Sequence, residues 1–132
     1  GKPVTLDIYD SLVNELNKPW VSGLTLLGVD PMHPKNQLGV TMMLSYIRSQ
    51  APNKNVWIYT GYTYEELMNE NSDCHTDFTE QILEQAEVLV DGRFIEEEKD
   101  ISLKFRGSKN QRIIDISKTL ACGNVVLVDE LM

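Results

Sequence analysis

The stretch GLTLLGVDPMHPKN, residues 23–36, constrains this chain more than any other. Leu24 to Leu27 is apolar apart from Thr25, too short for a helix, and ends at Gly28. A run of that kind reads as a strand buried on both faces. A turn with Asp30, Pro31, His33 and Pro34 follows, and then Val40, Met43, Leu44 and Ile47 recur at i, i+3, i+4 and i+7, one face of a helix. That helix runs out at Ala51-Pro52, and Asn55 to Tyr59 supplies a second strand. Strand, helix and strand make a βαβ crossover, which is right-handed and sets both strands parallel in one sheet. In such sheets ligands bind in the crevice outside the carboxyl ends of the strands.

The flanking sequence continues the alternation. Residues 5–18 place Tyr9, Leu12, Val13 and Leu16 on one helical face, with Asp7, Asn14, Glu15 and Lys18 outward and Pro19 beyond the end. After the second strand, Thr60-Gly61 makes a turn, and Thr63 with Glu66 matches a capping box at the start of a new helix. A further helix is expected over about 77–85, with Phe78, Ile82 and Ala86 inward and Asp77 with Glu80 as its cap. It delivers a third strand, Val88-Leu89-Val90, which stops at Asp91-Gly92-Arg93. Residues 94–110 lose periodicity and read as an irregular loop, of the length that is usually functional or disordered. Arg112–Ile116 and Val125–Val128 read as two more short strands.

With 132 residues, the chain is expected to be one α/β domain over residues 1–132, too short for a complete eight-stranded barrel. The formal charge of −8 leaves no basic excess to neutralise phosphates, which argues against nucleic acid as a partner. No apolar run reaches the length of a membrane span. Cys74 and Cys122 are too far apart for a local metal knuckle, so the chain reads as a reduced, cytoplasmic protein without a metal site of its own.

Three successive loops therefore converge at one side of the sheet. They bring Asp30 and His33, Thr60, and Asp91 with Arg93, and the glycines Gly28, Gly61 and Gly92 would let a ligand approach backbone N–H groups. Asp30-Pro31 is equally a turn opener, and His33 reads as a loop hydrogen-bonder rather than a metal ligand. Arg106 and Arg112 are either solvated charges or partners of an anionic ligand. Tyr59, Tyr62 and Tyr64 are expected to pack the sheet edge. No nucleophile with a matched base, no phosphate loop and no dinucleotide fingerprint is visible, so no catalytic residue is assigned.

Taken together, GLTLLGVDPMHPKN, VWIYTGYTYEEL and VLVDGRFIEEEKDISLKFRGSKNQRIIDI resemble, in order and spacing, the activating proteins of anaerobic ribonucleoside-triphosphate reductase, a family of the radical S-adenosylmethionine superfamily. The resemblance implies a partial (β/α) barrel with a mostly parallel sheet, binding S-adenosylmethionine and a [4Fe–4S] cluster. It implies hydrogen abstraction by a 5′-deoxyadenosyl radical from a glycine in the glycyl-radical domain of the reductase. By that resemblance Gly28, Val29 and Asp30 face the methionine amino group, with Val29 where the family has a second glycine. Thr60 and Gly61 lie near the ribose and carboxylate, and Asp91 with Arg93 form the fourth-strand loop. The family's C-x3-C-x2-C cluster loop has no counterpart in this sequence. The resemblance thus leads us to expect an N-terminally truncated portion, lacking the first strand and cluster loop and inactive as it stands, whose bare sheet edge invites self-association. The alternative is a non-catalytic α/β module that binds a small ligand or docks the reductase.

Overall fold

The computed structural model describes residues 6–132. The chain runs α1 (Leu6–Leu16), β1 (Gly23–Leu26), α2 (Pro34–Gln50), β2 (Asn55–Tyr59), α3 (Tyr64–Met68), α4 (Thr79–Glu84), β3 (Val88–Asp91), β4 (Arg112–Asp115) and α5 (Ile116–Cys122). The expected helix start at Thr5 and the outward side chain of Asp7 lie outside the described residues. No helix among the described residues is long and apolar enough to cross a membrane.

The four strands form one sheet in the order β1-β2-β3-β4, with β1, β2 and β3 parallel and β4 antiparallel to β3. The fold is therefore α/β with a mixed, mostly parallel sheet. Alternation along the strands splits the side chains between two layers. Leu26, Val56, Ile58, Leu89 and Ile114 pack towards the helices with Leu44 and Ile82, whereas Val88, Val90 and Ile113 form a second cluster with Trp57, Tyr59, Val128 and Leu131 on the other face. Leu44, Ile58, Leu89 and Ile114 are fully buried, each contributing about 1.5–3 kcal/mol.

Several boundaries differ from the sequence-based expectations, each for a local reason. The strand at 24–27 is not buried on both faces: β1 ends at Leu26 and lies at the sheet edge, where the face carrying Thr25 is left exposed, and Leu27 just beyond it is 66% exposed. Helix α4 starts at Thr79, and its N-cap Phe78 makes no side-chain cap bond. Two threonines shape that turn instead of Asp77: Thr76 Oγ1 accepts from Phe78 N at 3.0 Å, and Thr79 Oγ1 accepts from Thr76 N at 2.9 Å. The strand at 112–116 ends at Asp115 because that carboxylate caps α5, accepting from Lys118 N at 2.9 Å. Residues 125–128 make one antiparallel bridge, Leu127 with Ile114, rather than a strand.

On α2 the expected stripe holds, with Leu44 and Ile47 buried, but Gln37 and Thr41 are buried beside them. Gln37 is tolerated there because its amide is fully used. Its Nε2 donates to the carbonyls of Met32 and Cys74, both at 2.8 Å, and its Oε1 accepts from Thr76 and Thr79.

Candidate functional site

The loops leaving β1, β2 and β3 meet as the βαβ pattern requires. Gly28 and Gly92 take positive φ, +94° and +96°, a region that disfavours residues with a Cβ. The left-handed step falls on Gly28 and not on Val29, since Phe105 is the one non-glycine with positive φ among the described residues. Gly28, Asp30, Thr60, Gly61 and Gly92 line a cavity of about 230 Å³, with Tyr59, Phe94 and Gln111 completing its wall. Tyr59 also borders a second cavity of about 320 Å³, which runs along the sheet face past Trp57 and Phe105.

Asp30 is the most heavily used polar group here. Its Oδ1 accepts from Met32 N at 2.9 Å, and its Oδ2 from Thr60 Oγ1 at 3.0 Å and Gly61 N at 2.8 Å. Asn36 Nδ2 donates to the Asp30 carbonyl at 2.9 Å. All three donors to the carboxylate are neutral, and no cationic side chain pairs with it among the described residues. Thr60, itself buried, also accepts from Tyr62 N, and the Thr63–Glu66 capping box forms as the sequence indicates.

Asp91 sits differently. It is 1% exposed and accepts from Tyr64 N at 2.8 Å and from Arg112 Nε at 3.0 Å, while Arg112 Nη2 reaches both Asp91 and Glu65. The Asp91 bonds, more than Glu65, hold the Arg112 guanidinium well above its usual range, against a smaller opposing effect of burial. Arg112 is thus a structural partner of Asp91 and Glu65, which is neither of the two alternatives, solvated charge or partner of an anionic ligand, that its sequence left open. Arg93 remains on the rim, its side chain 70% exposed and 3.8 Å from Glu66. Val29 is 84% exposed, and its side chain lines a separate apolar groove of about 610 Å³ between the open edge of β1 and α2, with Leu27, Gly39 and Met42.

His33 is the N-cap of α2, accepting from Lys35 N, and His75 bonds the Leu67 carbonyl. Tyr62 and Tyr64 pack against the main core. Burial pushes the phenols of Tyr59, Tyr62 and Tyr64 up. The 94–110 loop is tied down by groups that sequence reasoning did not single out. Gln111 Oε1 accepts from the N–H groups of Gly107 and Ser108, its Nε2 donates to the Gly92 carbonyl, and Asn110 Nδ2 donates to the Arg93 carbonyl. Tyr59 donates to the carbonyl of Phe105, whose ring lies 5.4 Å from that of Trp57. The signal that would have found them is the pair of amides ending a glycine-bearing polar run.

The thiols do not converge. Cys74 is buried beside Ser72 Oγ, Cys122 is exposed at the end of α5, and no three metal-ligating side chains come together among the described residues.

A family profile described as a 4Fe-4S single cluster domain matches residues 1–114. The chain is 36% identical over 113 residues to the anaerobic ribonucleoside-triphosphate reductase-activating protein of Escherichia coli strain K12, covering 84% of this chain and 68% of the relative. It is 36% identical over 115 residues to the protein of that name from Vibrio cholerae, covering 86% and 69%. It is 30% identical over 115 residues to that of enterobacteria phage T4, covering 86% and 65%. No solved structure matches. With the strand-end motifs, the family profile and these relatives in agreement, the chain belongs to the family of anaerobic ribonucleoside-triphosphate reductase-activating proteins.

Proposed function

We propose that the strand-end crevice binds S-adenosylmethionine, in a radical enzyme that installs a glycyl radical on anaerobic ribonucleoside-triphosphate reductase. The observation that carries this reading is the Asp30 carboxylate. It lies at the strand ends among neutral donors with no cationic partner among the described residues, so its charge is left for a ligand. S-adenosylmethionine brings an ammonium and a sulfonium, the charge such a site favours. Gly28, Thr60 and Gly61 would approach the ligand along the crevice wall, and the exposed guanidinium of Arg93, whose 3.8 Å pairing with Glu66 is long and solvent-facing, would turn to meet the ligand carboxylate. Val29 contributes backbone alone, and Asp91 acts through Arg112 and the start of α3. The 230 Å³ cavity takes part of a ligand of this size, and the space beside Tyr59 and Trp57 offers the rest an apolar wall that excludes water.

In this reading S-adenosylmethionine, given one electron by an external low-potential reductant, would break its C5′–S bond, release methionine and supply the 5′-deoxyadenosyl radical that takes a hydrogen atom from a glycine in the glycyl-radical domain of the reductase. The residues of this chain bind and orient the ligand. They do not fit the [4Fe–4S] cluster, which is held by several cysteine thiolates brought together, the C-x3-C-x2-C triad in the family resemblance, whereas two separated cysteines are present. The 132-residue chain alone binds S-adenosylmethionine in this reading without cleaving it. In this reading the sheet is part of a (β/α) barrel, the protein is cytoplasmic, and the open β1 edge pairs with a second copy.

Titration calorimetry of the chain with S-adenosylmethionine and with S-adenosylhomocysteine, which lacks the sulfonium charge, tests the reading. Saturable binding that favours the cationic ligand supports it. Absence of binding at millimolar ligand, or equal binding of both, overturns it.

A further inference from the structure

We propose that Asp30 is a positioning residue, whose carboxylate clasps the loop after β1 to the loop after β2 at Thr60 and Gly61 and so sets the width of the strand-end crevice. This rests on the reading of the crevice as a ligand site, but its first test does not.

The β1–β2 ladder ends at the pair Leu26 and Ile58. Beyond it, the two hydrogen bonds that join residues 27–33 to residues 60–63 both end on one atom, Asp30 Oδ2: Thr60 Oγ1 at 3.0 Å and Gly61 N at 2.8 Å. The second loop is held to its other neighbour by backbone, through Thr60 N to the Val90 carbonyl and Gly92 N to the Tyr62 carbonyl, both at 3.0 Å. Its separation from the first loop is left to a side chain.

That side chain is fixed on its own side. Met32 N donates to Oδ1, and the Asp30 carbonyl takes Asn36 Nδ2 and His33 N. Met32 is fully buried and its carbonyl is gripped by Gln37, so the clasp is anchored through α2 to the core. A carboxylate suits the task because one oxygen accepts two donors at once while the other stays with its own loop. An amide in its place has one accepting atom and turns an NH₂ towards either Met32 N–H or Gly61 N–H.

Hydrogen exchange of the ligand-free chain reads the clasp directly. Asp30→Asn should speed exchange of the Met32 or the Gly61 amide, whichever its NH₂ faces, and Thr60→Val that of the Gly61 amide, each about tenfold or more, while core strand amides such as Leu89 keep their protection. Thr60→Ser, which keeps the hydroxyl, should restore slow exchange. In the second readout Thr60→Val, with the Asp30 charge intact, weakens S-adenosylmethionine binding several-fold, and Thr60→Ser recovers it. Unchanged exchange of both Met32 and Gly61 in Asp30→Asn, or of Gly61 in Thr60→Val, overturns the clasp. If Asp30→Asn does not fold, Thr60→Val against Thr60→Ser decides alone. Should the parent chain fail to bind S-adenosylmethionine, the ligand reading falls, and the exchange result still decides whether Asp30 holds the loops.

Discussion

Replacing Asp91 by alanine is expected to lower the unfolding free energy by about 2–3 kcal/mol. The carboxylate is 1% exposed, and its loss orphans the Tyr64 N–H and strips Arg112 of its Nε partner. Leaving a fully buried partner charge uncompensated costs roughly 3–5 kcal/mol. The Arg112 side chain is 30% exposed and keeps Glu65, so solvent takes up part of that cost and the smaller figure follows. For a chain of this length the loss corresponds to a fall in Tm of about 10 °C. Asp91→Asn, which keeps an acceptor for Tyr64 N, should cost about half as much. Urea unfolding of the two variants, of Arg112→Ala and of the Asp91→Ala/Arg112→Ala pair measures this, the double mutant falling well short of the sum of its parts. A loss below about 0.5 kcal/mol for Asp91→Ala, or strict additivity, would refute the argument.

Three further outcomes follow from the geometry. Gly28→Ala, at φ +94°, should destabilise by about 1–2 kcal/mol, although a Cβ there meets nothing within 4 Å; Val29→Gly should change S-adenosylmethionine affinity by less than about threefold, because the Val29 side chain lies in the outer groove. Calorimetry and urea melts on both variants check the pair. Folded-state pKa values of Tyr59, Tyr62 and Tyr64 lie above those of the unfolded chain, so the stability they confer is complete below about pH 10 and declines as pH rises through the folded-state values. Tyr59 should ionise with release of Phe105, seen as tyrosinate absorbance rising with loss of stability, and Tyr59→Phe should blunt that loss. Finally, the β1 edge carries no Lys, Pro or bulge, so the chain should self-associate with concentration in sedimentation velocity and Thr25→Lys should keep it monomeric; a monomeric parent chain over a wide range counts against pairing of that edge.

The parts of this fold that were legible in the sequence are those set by local chemistry. The periodic stripe of α2, the β-branched and aromatic run of β2 and the Thr63–Glu66 box each state their structure within a few residues. The convergence of the Gly28, Thr60 and Gly92 loops followed from the βαβ rule. What escaped depended on contacts between distant residues. Nothing local reveals that antiparallel β4 brings Arg112 across to Asp91. Leu24–Leu27 looked doubly buried because an apolar run does not say whether distant chain covers both of its faces. Gln37, polar at a core position, finds partners some 40 residues away in Thr76 and Thr79.

The central claim is that the crevice at the ends of β1, β2 and β3 is where S-adenosylmethionine binds. An NMR titration of the nitrogen-labelled chain tests it most directly. Saturating amide shifts at Gly28, Asp30, Thr60, Gly61 and Gly92, with Leu27 and Met42 unmoved, are the predicted result. Shifts confined to the outer groove at Leu27 and Met42, or none at millimolar ligand, would contradict it.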